Sequence, residues 1–148
     1  MDRYDSAPIE LARLDREFSR ADIVFHSVDH AGPSFEARVF LNNPDANPDT
    51  PMHEEAGYAG SFFIFGHGGC FGDEGHCDVP ERRPYDPRRS HPLTPARKTL
   101  IATEALRRAF DQADTVTVSV VPVITSLTEK ANTEDFLHFD SVELTTYR

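Results

Sequence analysis

The chain has 148 residues, of which 39% are hydrophobic and 10% aromatic, and its formal net charge is −10. This length corresponds to about one domain, which can bury a core without disulfide or metal support. The acidic charge argues against a nucleic-acid partner, which normally requires a basic face. No apolar stretch approaches the roughly 20 residues that span a bilayer, so we expect no membrane partner.

The N-terminal sequence MDRYDSAPIELARL lacks the basic start and apolar run of a secretory signal. We expect a cytoplasmic location for the chain as given, with export on a partner left open. Residues 1–20 are predicted to form a helical arm before a domain at 21–148. Ser6 or Asp5 can cap a helix over 6–18, Pro8 suits its first turn, and Leu11, Leu14 and Phe18 share one face.

Alternating apolar and polar residues predict strands through most of the remaining chain. The predicted strands cover 23–28, 34–41, 58–65, 98–103, 115–123 and 136–147, and a short helix covers 104–112, capped by Thr103. Three prolines keep 42–52 out of a sheet interior. This order predicts a mainly β chain, folded as a β-sandwich of about six to eight strands with one or two short helices.

The run YAGSFFIFGHGGCFGDEGHC at 58–77 leads an aromatic strand into a glycine-rich loop with both cysteines. One interpretation is a disulfide between Cys70 and Cys77, which stabilises by about 2–3 kcal/mol if the two Cα atoms approach. The other is a metal site of His67, Cys70, His76 and Cys77. Thiolate and imidazole suit transient Cu(I), whereas four ligands on one loop are unusual for stable zinc. Both interpretations stay open.

Several segments occur in one order: SFEARVFLNNPDAN, YAGSFFIFGH, TEALRRAF, TVTVSVVPV and FDSVEL. This series, over 21–147, resembles the C-terminal β-domain of tyrosinases and polyphenol oxidases, the KFDV-type domain. The resemblance implies a β-sandwich that packs over the binuclear copper site of a separate catalytic domain. There it acts as a lid, as an intramolecular chaperone, or both, and paired cysteines in some relatives hand over copper.

The histidines depart from the catalytic part of that family, in which six histidines on a helical bundle hold two coppers. Here seven histidines are scattered over predicted strands and loops. His26 and His30 have helical i, i+4 spacing but fall on a β pattern, where residues four apart are about 13 Å distant. We therefore assign no metal to this pair. Nucleophile-elbow, P-loop, dinucleotide-binding and HExxH motifs are absent, so no catalytic residue is assigned.

We therefore expect a non-catalytic accessory or lid domain, or subunit, of a tyrosinase-like copper oxidase, which would assist folding or copper loading. The alternatives are a free-standing copper-binding module and the β-domain chain of a split phenol oxidase. We do not expect the chain to be an enzyme by itself, although this point stays open, and catalysis is assigned to an associated phenol oxidase.

A lid requires a protruding side chain and a docking surface. Phe71, between the two cysteines, is the first candidate for a plug, and Tyr85, in a segment rich in proline and arginine, is the second. A tyrosine there resembles a phenolic substrate. The basic cluster Arg82, Arg83, Arg88 and Arg89 is the predicted docking site for an acidic rim of the oxidase.

Overall fold

The structure is a computed structural model that describes residues 3–68, 72–124 and 136–148. The described part contains nine strands, one α-helix and two short 3-10 helices. The strands are β1 (Tyr4–Asp5), β2 (Ile9–Glu10), β3 (Arg20–Val28), β4 (Phe35–Leu41), β5 (Tyr58–Ile64), β6 (Ala96–Ile101), β7 (Thr115–Val116), β8 (Val118–Val123) and β9 (Ser141–Tyr147). The α-helix α1 is Thr103–Gln112, and the 3-10 helices are Leu11–Arg13 and Glu54–Ala56. The prediction of a mainly β chain is confirmed.

The strands form antiparallel sheets that pack face to face. One sheet has the order β1-β8-β4-β5 and another the order β6-β3-β9, while β2 pairs with β7. The ring of Phe25 on β3 contacts that of Phe62 on β5, with centroids 4.8 Å apart. Because these strands belong to different sheets, the contact joins the two layers, and the predicted β-sandwich is confirmed.

The core follows from the period-two pattern of the strands. Along β4, the buried side chains Phe35, Ala37, Val39 and Leu41 alternate with the half-buried Glu36 and Arg38. Full burial of such an apolar side chain stabilises by about 1.5–3 kcal/mol. The sequence pattern therefore places the correct face of the strand toward the core.

Helix α1 adds Ala105, Leu106, Ala109 and Phe110 to this core, as its apolar stripe predicts. The predicted cap is wrong: Thr103 is already helical, and its hydroxyl accepts a hydrogen bond from the amide of Ala21 (3.1 Å). A long-range contact has replaced the local one. Within the described residues, no helix is long and apolar enough to cross a membrane.

The continuous helix predicted over 6–18 is not formed. This segment instead contains strand β2 and the 3-10 helix Leu11–Arg13, in which Leu11 is buried. The amide of Ser6 donates to the carbonyl of Val118 (2.9 Å), and the Ser6 hydroxyl accepts from the amide of Val118 (2.9 Å). Pairing with β8 has overridden the local helical pattern, and Pro8, which has no N–H, suits this extended course.

Candidate functional site

The glycine-rich segment 66–77, which contains both cysteines, is called the cysteine loop below. Between it and β6 lies a compact loop at residues 82–90, which we call the tyrosine loop. The guanidinium of Arg82 spans this loop. It donates to Ser90 Oγ (2.6 Å), to the carbonyl of Asp86 (2.7 Å) and to that of Arg88 (2.5 Å). One planar side chain thus ties the two ends of the loop together.

A second pair closes the tip of the tyrosine loop. Asp86 accepts hydrogen bonds from the amide (3.0 Å) and from the guanidinium (2.5 Å) of Arg88, and its side chain is only 7% exposed. These bonds from Arg88 lower the pKa of Asp86, with a further contribution from the charge of Arg82. The same contact raises the pKa of Arg88.

The tyrosine loop presents Tyr85 entirely to solvent. The side chain is 101% exposed relative to its reference, and its backbone has φ +63°. Left-handed backbone costs a residue with a Cβ about 1–2 kcal/mol, so the surrounding contacts must hold it there. A turn bond from the amide of Asp86 to the carbonyl of Arg83 (3.2 Å) adds to them. The side chain of Tyr85, the second plug candidate, therefore lies fully in solvent, and its plug role stays a prediction.

The four arginines of the predicted docking cluster divide into two pairs. Arg82 and Arg88 make hydrogen bonds within the tyrosine loop. Arg83 and Arg89 are exposed, and no hydrogen bond or ion pair engages either guanidinium within the described residues. Two of the four charges therefore shape the loop, and the docking role of the cluster stays a prediction.

The cysteine loop is described only in part. Phe71, the first plug candidate, and Cys70 lie outside the described residues, so the plug role of Phe71 stays a prediction. Cys77 is disulfide-bonded in the structure. The carbonyl of His76 lies 3.3 Å from His91 Nε2.

Predicted metal ligands were tested against the geometry of the described residues. In 3–68, 72–124 and 136–148, no group of three or more His, Cys, Asp or Glu side chains could hold a metal ion. The proposed site that includes Cys70 stays a prediction.

The structure brings His67 to a partner that the sequence did not indicate. Its Nδ1 lies 3.3 Å from Nδ1 of His30, and its amide donates to the carbonyl of His30 (3.1 Å). The two residues are 37 positions apart, on loops that follow β5 and β3. Each histidine is visible in the sequence, but their proximity depends on how the two loops meet.

Sequence reasoning also missed two exposed aromatic side chains at the end of β5. Phe63 is 66% and Phe65 is 87% exposed, whereas Phe62 and Ile64 face the core. The signal was present in SFFIF, because period-two alternation places a phenylalanine at 63 and at 65 on the face away from the core. Large exposed aromatic side chains that lie close together are typical of a surface that another molecule covers.

Comparison with solved structures adds to this geometry. Latent aurone synthase (polyphenol oxidase) from a natural source matches with a TM-score of 0.54 and 14% identity over 99% of this chain. The recombinantly expressed latent enzyme matches with a TM-score of 0.53 and 14% identity. The chain resembles one part of a polyphenol oxidase in fold. It spans 25% of the length of these polyphenol oxidases.

The likeness to polyphenol oxidase is one of fold, since the identity is low. No family model matches the chain, and no curated protein does. The resemblance seen in the sequence and the structural match agree on the fold.

Proposed function

We propose that this chain is an accessory domain or subunit of a polyphenol-oxidase-type copper enzyme, and that Tyr85 covers the entrance to the active site of that enzyme. One observation carries the proposal. Within a fold similar to part of polyphenol oxidase, a fully exposed tyrosine stands on a loop whose ends Arg82 ties together.

The shape and chemistry of Tyr85 suit this role. A phenol ring can enter a site that accepts phenols, and a loop that is already ordered loses little conformational freedom on docking. Arg83 and Arg89 lie two and four positions from Tyr85 in the sequence, and their exposed guanidinium groups would match an acidic rim. Phe63 and Phe65 supply further apolar area for a partner, because they are exposed by 66% and 87%.

The proposal is tested with the copper-loaded catalytic domain that occurs with this chain, on the same or another polypeptide. Unchanged chain is expected to suppress phenol oxidation, and Tyr85→Ala to restore kcat/KM by at least about fivefold, the equivalent of about 1 kcal/mol at an interface aromatic. Tyr85→Ala should change the free energy of unfolding by less than about 0.5 kcal/mol, because the ring is exposed.

The matched control is Tyr147→Ala, which removes a tyrosine that is 44% exposed on β9. It should leave the suppression intact. Equal suppression by the unchanged chain and by Tyr85→Ala would remove Tyr85 from the proposal. Absence of any binding between the chain and the catalytic domain would contradict the accessory role itself.

Folding assistance and copper loading form the less direct part of the proposal. Cys77 is disulfide-bonded, so a thiolate is available there only after reduction. Copper transfer through the cysteine loop therefore requires reducing conditions. The alternatives of a free-standing copper module and of a split phenol oxidase stay predictions, and stoichiometric copper binding without any oxidase partner would favour the former.

A further inference from the structure

We propose that His30 and His67 form a two-imidazole binding site for a divalent metal ion of the zinc type that uses neither cysteine. This proposal does not depend on the accessory function proposed above. Three features indicate this site: the spacing of the two rings, the hydrogen bonds that orient them and the close approach of their loops.

The spacing of the two ring nitrogens suits one shared ion. Two zinc–nitrogen bonds of about 2.0–2.1 Å at a tetrahedral angle place the nitrogens about 3.3–3.4 Å apart. The two Nδ1 atoms lie 3.3 Å apart in the structure. The two ring centroids are 5.0 Å apart and the planes are inclined by 56°, so the rings are not stacked face to face.

The tautomer of His30 is set by its other nitrogen. His30 Nε2 lies 2.8 Å from the carbonyl oxygen of Thr94, which can only accept a hydrogen bond, so Nε2 carries the proton. The neutral ring then keeps its lone pair on Nδ1, which faces His67. An imidazole that donates its far N–H to a backbone carbonyl is the usual arrangement of a metal-binding histidine.

His67 can exchange its present contacts for a metal bond. Its Nδ1 lies 3.2 Å from the carbonyl of His30 and 3.3 Å from His30 Nδ1, so a proton on this nitrogen is shared between two acceptors. When that proton moves to Nε2 of the same neutral ring, the Nδ1 lone pair becomes available toward the same point. Water or a partner side chain would complete the coordination.

Backbone contacts hold the two loops in register before any ion binds. The amide of His67 donates to the carbonyl of His30 (3.1 Å), and the amide of Gly68 to that of Gly32 (2.9 Å). The amide of Gly66 donates to Ser34 Oγ (2.9 Å). A Cβ on Gly66 would lie 2.2 Å from the carbonyl oxygen of Gly32, so the approach requires glycine there.

The test is titration of the full chain, in its disulfide-bonded form, with Zn²⁺ alone by calorimetry. One site is expected, and His30→Ala and His67→Asn should each weaken it by more than about tenfold. Asparagine at 67 is chosen because its amide can still donate to the carbonyl of His30. Gly66→Ala should also weaken binding, although both imidazoles remain.

The controls are His26→Ala and His53→Ala, which remove histidines at other places in the fold and should leave the affinity unchanged. Titration with Co²⁺ supplies an independent readout: a tetrahedral visible spectrum without a thiolate charge-transfer band is expected. The proposal is overturned if neither His30→Ala nor His67→Asn weakens binding, or if the site is lost with Cys77→Ser instead. Because no oxidase is present, neither result bears on the role of Tyr85.

Discussion

The neighbouring residues Tyr85 and Asp86 have different roles in the tyrosine loop. Tyr85 is exposed and makes no contribution to the core. The side chain of Asp86 is only 7% exposed and accepts hydrogen bonds from Arg88. A left-handed residue with a Cβ persists only where its surroundings hold it. The ordered carboxylate of Asp86 is therefore a condition for the presentation of Tyr85.

This dependence makes the tyrosine loop sensitive to acid. The pKa of Asp86 is lowered in the folded chain, so its stabilisation of the loop is complete above the ordinary value of 3.8 and is lost as pH falls through the lowered value. We expect the Asp86 carboxyl to titrate below 3.8 in a nuclear magnetic resonance titration.

Arg88→Ala should raise the pKa of Asp86 toward its ordinary value, because the largest cause of the shift is removed. Arg83→Ala is the control, since within the described residues that guanidinium makes no hydrogen bond or ion pair with the Asp86 carboxylate. An unchanged pKa in Arg88→Ala would show that the ion pair does not order the loop.

At the level of elements, the N-terminal segment protects the edge of a sheet. Strand β8 lies between β1 and β4, and β1 covers it at Ser119 and Val120. Beyond that cover, Pro122 offers no N–H to an incoming strand. Both features limit edge-to-edge pairing of a valine-rich strand, which is a common route to aggregation.

Removal of residues 1–10 should therefore lower stability and promote association. The ring of Tyr4, whose centroid lies 4.5 Å from that of Phe139, would be lost. We expect a loss of about 2 kcal/mol or more in chemical denaturation, and light scattering that rises with protein concentration.

Tyr4→Ala is the matched variant for this experiment. It removes the aromatic contact but leaves the backbone of β1 on the edge of β8, so it should destabilise without promoting association. A shortened chain that stays monomeric at every concentration would show that β1 does not protect the edge.

At the level of the whole molecule, charge is distributed unevenly. The chain carries a net charge of −10, yet Arg83 and Arg89 present free positive charge beside Tyr85. Such an asymmetry orients an encounter with an acidic surface and acts mainly on the association rate. If the tyrosine loop docks on an acidic rim, these two arginines steer the approach.

The double variant Arg83→Glu and Arg89→Glu should slow association with the catalytic domain by about tenfold at low salt, and the difference should shrink as salt is added. Arg13→Glu with Arg97→Glu changes the net charge equally at other exposed positions. Stopped-flow association should find little change for that control. Equal slowing by both double variants would indicate that only net charge matters.

The local pattern of the sequence was sufficient for much of the fold. Alternation along β4 and the helical stripe of α1 depend on residues a few positions apart, and both predicted the buried face correctly. The exposed face of β5 was equally readable, although Phe63 and Phe65 were not recognised as a surface. These features are local because burial acts on each element through its own periodicity.

Tertiary structure decided the features that depend on distant backbone contacts. The helix predicted over 6–18 is not formed because Ser6 makes hydrogen bonds with β8, more than 100 positions away. His30 and His67 meet because the loop at Gly66 approaches the carbonyl of Gly32 more closely than any Cβ would allow. The sequence by itself determined which faces are apolar and which residues carry charge or metal-binding groups. Only the tertiary structure decided which of these residues come into contact, because contacts between distant residues do not produce a local sequence pattern.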